Sequence, residues 1–138
     1  AGLAESLAEG SYDFYASFKS GSYGLDYIKP NKLVITTDDG SVGVHGMLPV
    51  ALTEEAVRQG NYSAVYACGP TPMLRAIKNF AEENDIECYI SMEERMACGI
   101  GACLGCVCKS KEKDHHTNVH NKRCCKDGPV FDAREVEI

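Results

Sequence analysis

The placement of eight cysteines constrains this 138-residue chain more than any other feature. The first 67 residues contain none. Cys68 and Cys88 stand apart. The other six form two tight groups: Cys98, Cys103, Cys106 and Cys108, then Cys124 and Cys125. Disulfide frameworks spread their bridges over a fold, whereas metal sites cluster their ligands. The grouping therefore predicts a metal site in a reducing cytoplasm. No apolar run is long enough to span a membrane. The opening "AGLAESLAEG" is acidic and lacks the basic start of a signal peptide. The net charge of −6 argues against nucleic-acid binding. The polar run "KSKEKDHHTNVHNKR" (109–123) has no aromatic residue to stack on bases and reads as a solvated loop.

The first two-thirds of the chain reads as α/β. Short apolar runs at 12–18, 32–37, 63–69 and 86–91 predict strands without clean alternation, as in a parallel sheet covered on both faces. A helix is expected from Thr71, as N-cap, through 84. Its buried face would be Met73, Leu74, Ile77, Phe80 and Ala81. A second helix is expected over 52–60, with Thr53 before two acids and Gly60 as its stop. Residues 2–10 read as the last turns of a helix. The order predicts a doubly wound parallel sheet, incomplete at its N-terminus because the usual opening strand and glycine-rich turn are missing. The N-terminus is thus expected to be an imposed boundary rather than a natural start. After Met92 the cysteine and glycine density rises, which predicts two domains: 1–92, and a small lobe at 93–138. Burial alone rarely stabilises so small a lobe, so a structural metal is expected.

Cys98, Cys103 and Cys106 give C-x4-C-x2-C, and Cys125 follows after eighteen intervening residues. This is the plant-type spacing for a [2Fe–2S] cluster with a remote fourth ligand. A loop wrapping a cluster must aim amides at sulfur and adopt positive φ in places, which Gly99, Gly101 and Gly105 permit. Cys124 and Cys125 point opposite ways in extended chain, so only one reaches the cluster. Spacing alone leaves open which, and leaves Cys108 as a further candidate. Cys88 and Cys108 read as buried small hydrophobes. His115, His116 and His120 read as part of the polar loop rather than as ligands. The alternative, four-cysteine zinc, normally shows two short C-x2–4-C pairs, and only one is present.

A second site is expected at "YACGPTPM", where a strand turns into a helix N-terminus. Cys68, Gly69, Pro70 and Met73 occupy the place where a dinucleotide binds in open α/β sheets. At another strand end, Asp38 and Asp39 can accept from ribose hydroxyls and repel a 2′-phosphate, favouring NADH; the bland alternative is a tight turn.

Taken together, "YACGPTPML" resembles the C-G-x-x-x-M signature of ferredoxin reductase-type NAD(P)-binding domains. "SMEERMACGIGACLGC", followed by "CCKDGPVF", is similar to the C-terminal region of electron-transfer subunits of type-B dihydroorotate dehydrogenase. The resemblance runs from about residue 12 to the end. It implies a C-terminal fragment whose last ligand precedes a residue and Asp-Gly-Pro, and so is Cys125. It places Cys68 beside the nicotinamide. It also implies a route from NADH through FAD and the [2Fe–2S] cluster to FMN in a partner catalytic subunit, as a hetero-oligomer serving pyrimidine biosynthesis. The FAD-binding barrel is missing, so the chain alone is expected to fall short of the full reaction. An exposed apolar patch is expected beside the 98–106 loop, where a partner docks. Reductase subunits of hydrogenases, sulfide dehydrogenases and transhydrogenases share the layout and form the alternative. A zinc-stabilised binding module is the alternative of another class.

Overall fold

A computed structural model describes residues 2–115 and 117–138, so His116 lies outside the described residues. The chain divides into two compact units, 1–61 and 62–138. No helix among the described residues is long and apolar enough to cross a membrane.

The first unit opens with α1 (Gly2–Ser6) and contains three parallel strands, β1 (Asp13–Phe18), β2 (Lys32–Thr37) and β3 (Val44–His45). Their order is β1-β2-β3, with Asp13 opposite Lys32 and Phe18 opposite Thr37. The two fully buried threonines of β2 keep their hydroxyls bonded. Thr36 donates to the Ser17 hydroxyl at 3.0 Å and Thr37 to the Val42 carbonyl at 2.8 Å. Buried polar groups left unpaired would cost stability. After a 3-10 turn, α2 (Glu54–Gly60) is capped by the Thr53 hydroxyl, which accepts from the Ala56 amide. The left-handed stop is Asn61, at φ 47°, rather than the expected Gly60. Asparagine tolerates that conformation because its short polar side chain bonds locally.

The second unit is built on β4 (Ala64–Cys68), α3 (Thr71–Glu83) and β5 (Glu87–Ser91). β4 and β5 are parallel, with Cys68 opposite Ser91. Leu74, Ile77 and Ala81 bury one face of α3, while Met73 and Phe80 are half-buried. The N-cap is Pro70 rather than Thr71, and its carbonyl accepts from Met73 and Leu74. Lys78 joins the buried face unexpectedly. Its ammonium donates to the Val136 carbonyl at 2.7 Å, so a charge is buried with a partner.

Beyond residue 92, β6 (Val107–Lys109) and β7 (Asn121–Arg123) form an antiparallel hairpin. The last strand, β8 (Val130–Asp132), adds antiparallel to β5, giving the order β4-β5-β8. Phe131 drives this by burying its ring opposite Ile90. The tail then bridges back, with Val136 fully buried and paired to Ser110. One tail thus ties β5, α3 and the loop end of the β6–β7 hairpin together.

Candidate metal centre and nicotinamide turn

Residues 95–106 form a loop rather than a helix or strand, and several of its amides point at sulfur. The Cys103 amide donates to Cys98 Sγ, the Gly105 amide to Cys103 Sγ, and the Cys125 amide to Cys106 Sγ, each at 3.4 Å. Gly99 and Gly101 take positive φ, 68° and 82°, conformations that glycine adopts without strain. Gly105 does not need positive φ. It serves by close approach, since a Cβ there would lie 3.3 Å from Cys103 Sγ.

Four thiols fall into two interacting pairs. Cys98 contacts Cys103, and Cys106 contacts Cys125. Cys98 and Cys125 also sense one another electrostatically, so the pairs are neighbours. Amide donation from Ile100, then from Cys103, lowers the Cys98 thiol to about 6, so the thiolate that binds metal is favoured there. The Cys125 thiol is raised, first by its contact with Cys106 and then by burial, while the Gly101 amide works to lower it. Among the described residues, no His, Cys, Asp or Glu set of three or more converges on a point that would hold a single metal ion. Two pairs of soft sulfur donors with amides aimed at them suit a binuclear cluster, in which each iron takes one pair.

The adjacent cysteines separate as extended geometry requires. Cys125 meets Cys106, whereas Cys124 is fully buried against Cys108. Burial, then Cys108, pushes the Cys124 thiol up to about 12; burial also raises Cys108, whose thiol donates to the Lys122 carbonyl. Neither environment suits a metal-bound thiolate. Cys88 is buried on β5. His115 is exposed, and His120 Nδ1 lies 2.8 Å from the Lys111 carbonyl.

The loop reading of 109–123 misses a charged lock. Arg123 is buried, and its Nε and Nη2 meet both carboxylate oxygens of Asp127, at 3.0 and 3.2 Å. Asp114 Oδ1 lies 3.7 Å from the same guanidinium, and Asp114 Oδ2 accepts from Thr117 in a tight turn. Arg123 holds the Asp127 carboxyl below its ordinary range. The Arg-x-x-x-Asp spacing around Cys125 was the available signal. Met96, Ile100 and Leu104 are exposed, at 54%, 75% and 41%, so the cluster loop presents apolar side chains to solvent.

Cys68, Gly69, Pro70 and Met73 come together at the β4–α3 turn, with Cys68 exposed at the strand end. The Met73 methyl closes over Gly69, where a Cβ would collide with it. Asp38 and Asp39 follow β2 in the first unit. Asp39 Oδ1 accepts from the Ser41 amide at 2.9 Å, a turn-making bond; the Ser41 hydroxyl first, and then this amide, lower the Asp39 pKa. The Asp38 carbonyl, not its carboxylate, lies 3.0 Å from His45 Nε2.

Residues 93–137 match the family described as the iron–sulfur cluster binding domain of dihydroorotate dehydrogenase B. Among curated relatives, the dihydroorotate dehydrogenase B (NAD(+)) electron transfer subunit of Caldanaerobacter subterraneus subsp. tengcongensis is 47% identical over 105 residues. The match covers 76% of this chain and 40% of the relative. The corresponding subunits of Clostridium acetobutylicum and Clostridium perfringens are each 38% identical; the matches cover 97% and 99% of this chain and 50% and 53% of theirs. The chain thus spans about half the length of the curated relatives it matches. A solved structure described as an NADH-dependent reduced ferredoxin-NADP oxidoreductase aligns with a TM-score of 0.68 at 20% identity, covering 94% of this chain and 55% of that one; this likeness shows the fold. Over most of its length, then, the chain is similar to dihydroorotate dehydrogenase B electron transfer subunits, and its cysteine lobe matches their iron–sulfur cluster binding domain.

Proposed function

We propose that this chain is the cluster-bearing part of an electron-transfer subunit that carries electrons from NADH toward a dihydroorotate dehydrogenase catalytic subunit. The observation that carries the reading is the paired thiol set with amides directed at sulfur. Cys98, Cys103, Cys106 and Cys125 would hold a [2Fe–2S] cluster, which supplies one-electron transfer when bound. Cys98 and Cys103 would take one iron, Cys106 and Cys125 the other. The loop amides offset the sulfur charge, and Cys124 and Cys108 support the site from the core as neutral thiols.

The β4–α3 turn is proposed as the nicotinamide side of the relay. Cys68 stands exposed at the carboxyl end of a parallel strand, and Gly69, Pro70 and Met73 shape the turn beside it. Separately, in the first unit, Asp38 is proposed as a ribose contact, with Asp39 shaping the turn after β2 through Ser41. FAD belongs to the remaining length of the full subunit. Met96, Ile100 and Leu104 offer an apolar surface beside the ligands, suited to an FMN-containing partner. The cytoplasm is the proposed compartment, where these thiols stay reduced.

Anaerobic purification with a visible spectrum and analysis of iron, zinc and acid-labile sulfide tests this reading. Iron and sulfide in equal amounts are expected, and Cys125→Ser should abolish both. Zinc without sulfide would sink the electron-transfer proposal in favour of a zinc-stabilised module.

A further inference from the structure

Two chain segments carry the four thiols, and one buried side chain touches both. Gly101 lies inside the loop of Cys98, Cys103 and Cys106. Asp127 lies two residues after Cys125. Arg123 Nη1 donates to the Gly101 carbonyl at 3.4 Å, while Nε and Nη2 grip the Asp127 carboxylate. The Arg123 amide also donates to Asp127 Oδ2, at 2.8 Å, and the Asp127 amide returns to the Arg123 carbonyl. The turn that presents Cys125 is therefore closed around one arginine. Gly101 fits closely against it: a Cβ there would lie 2.9 Å from Lys126 Cδ and 3.5 Å from Arg123 Cδ.

The Gly101 residue is joined to sulfur on both sides. Its own amide acts on Cys125, and the amide of the next peptide, at Ala102, acts on Cys98. That second peptide is the one whose carbonyl faces Arg123. A charged donor on a carbonyl polarises the peptide and strengthens the N–H on its far side. The amide bonds that Arg123 supports are the kind that stabilise added negative charge on a cluster. Asp127 and Asp114 balance the guanidinium charge, so its effect runs through the directed bond and the fixed geometry rather than through bare charge.

We propose that Arg123 is a positioning residue for the cluster: its planar fork pins the Gly101 peptide to the Cys125 turn and thereby holds the reduction potential up. The inference rests on the four-cysteine reading above. Failure of that reading is visible separately, as missing acid-labile sulfide in the unsubstituted protein.

The test uses the full-length subunit carrying its cluster, with Arg123→Gln, Arg123→Lys and, as a charge control, Lys122→Gln. Lys122 pairs at the surface with Glu135, outside the lock. Midpoint potentials come from an EPR-monitored redox titration, and cluster loss from the rate of bleaching by a chelator. Arg123→Gln should shift the potential downward and speed bleaching about tenfold. Arg123→Lys keeps the charge but loses the fork, and should shift the potential in the same direction by less. Lys122→Gln should leave it unchanged. If Arg123→Gln fails to hold a cluster, Arg123→Lys decides. An unchanged potential in Arg123→Lys overturns the proposal, even if bleaching is faster. A shift matched by Lys122→Gln overturns it equally, because general charge would then explain it.

Discussion

Cys124 and Cys125 are chemically identical neighbours with opposite environments. Cys124 is buried against Cys108, and Cys125 faces Cys106. Cys124→Ala should therefore retain iron and sulfide while lowering unfolding stability by about 1 kcal/mol, the usual scale of a small core truncation. Denaturant melts of the loaded protein check it, and loss of sulfide would show that Cys124 is a ligand after all. Gly101 makes the complementary case. Its φ of 82° and its contact with Lys126 both reject a side chain. Gly101→Ala should destabilise the loop by about 1 kcal/mol from backbone strain alone and speed bleaching by a chelator. Bleaching at the wild-type rate would count against the tight closure described for this loop. The C-x4-C-x2-C spacing was legible in the sequence because it is local. The lock beside it was not, because Arg123 and Gly101 are 22 residues apart and the run containing Arg123 is polar but for Val119.

Among the elements, β8 and α3 show how the C-terminal tail is held. Phe131 is buried opposite Ile90, and Lys78 on α3 reaches the Val136 carbonyl from 58 residues away. Phe131→Ala should cost about 3–5 kcal/mol, a typical aromatic core truncation. Lys78→Met should cost about 1.5–3 kcal/mol, because the buried carbonyl loses a charged donor. Thermal or urea unfolding measures both; a Lys78→Met protein as stable as the wild type would mean that the ammonium bond is balanced by its own desolvation. The helix itself was legible from its apolar spacing at Leu74, Ile77 and Ala81. Lys78 was not, since a lysine on that face reads as solvated until the tail is seen to cover it.

For the whole molecule, one observation bears on how it behaves without its metal: among the described residues, 93–127 hold one short hairpin, β6–β7, as their only strands. Stripping the metal should raise amide hydrogen exchange across the ligand loop and the Cys125 turn, while β4, β5 and α3 keep their protection. Uniform loss of protection would show that cluster and sheet unfold together.

The sequence by itself determined the local content: four main strands, the two helices between them, a plant-type cysteine spacing and a strand–turn–helix with the C-G-x-x-x-M pattern. Each depends on residues within a few positions, so periodicity, caps and ligand spacing suffice to read it. Only the tertiary structure decided what distant segments do to one another. It turned Cys124 inward and Cys125 toward Cys106, sent β8 to β5, buried Lys78 beneath the tail, and drew Arg123 between the two cysteine segments. Those outcomes rest on burial and on hydrogen bonds closed over tens of residues, and no local pattern encodes which buried charge will find which carbonyl.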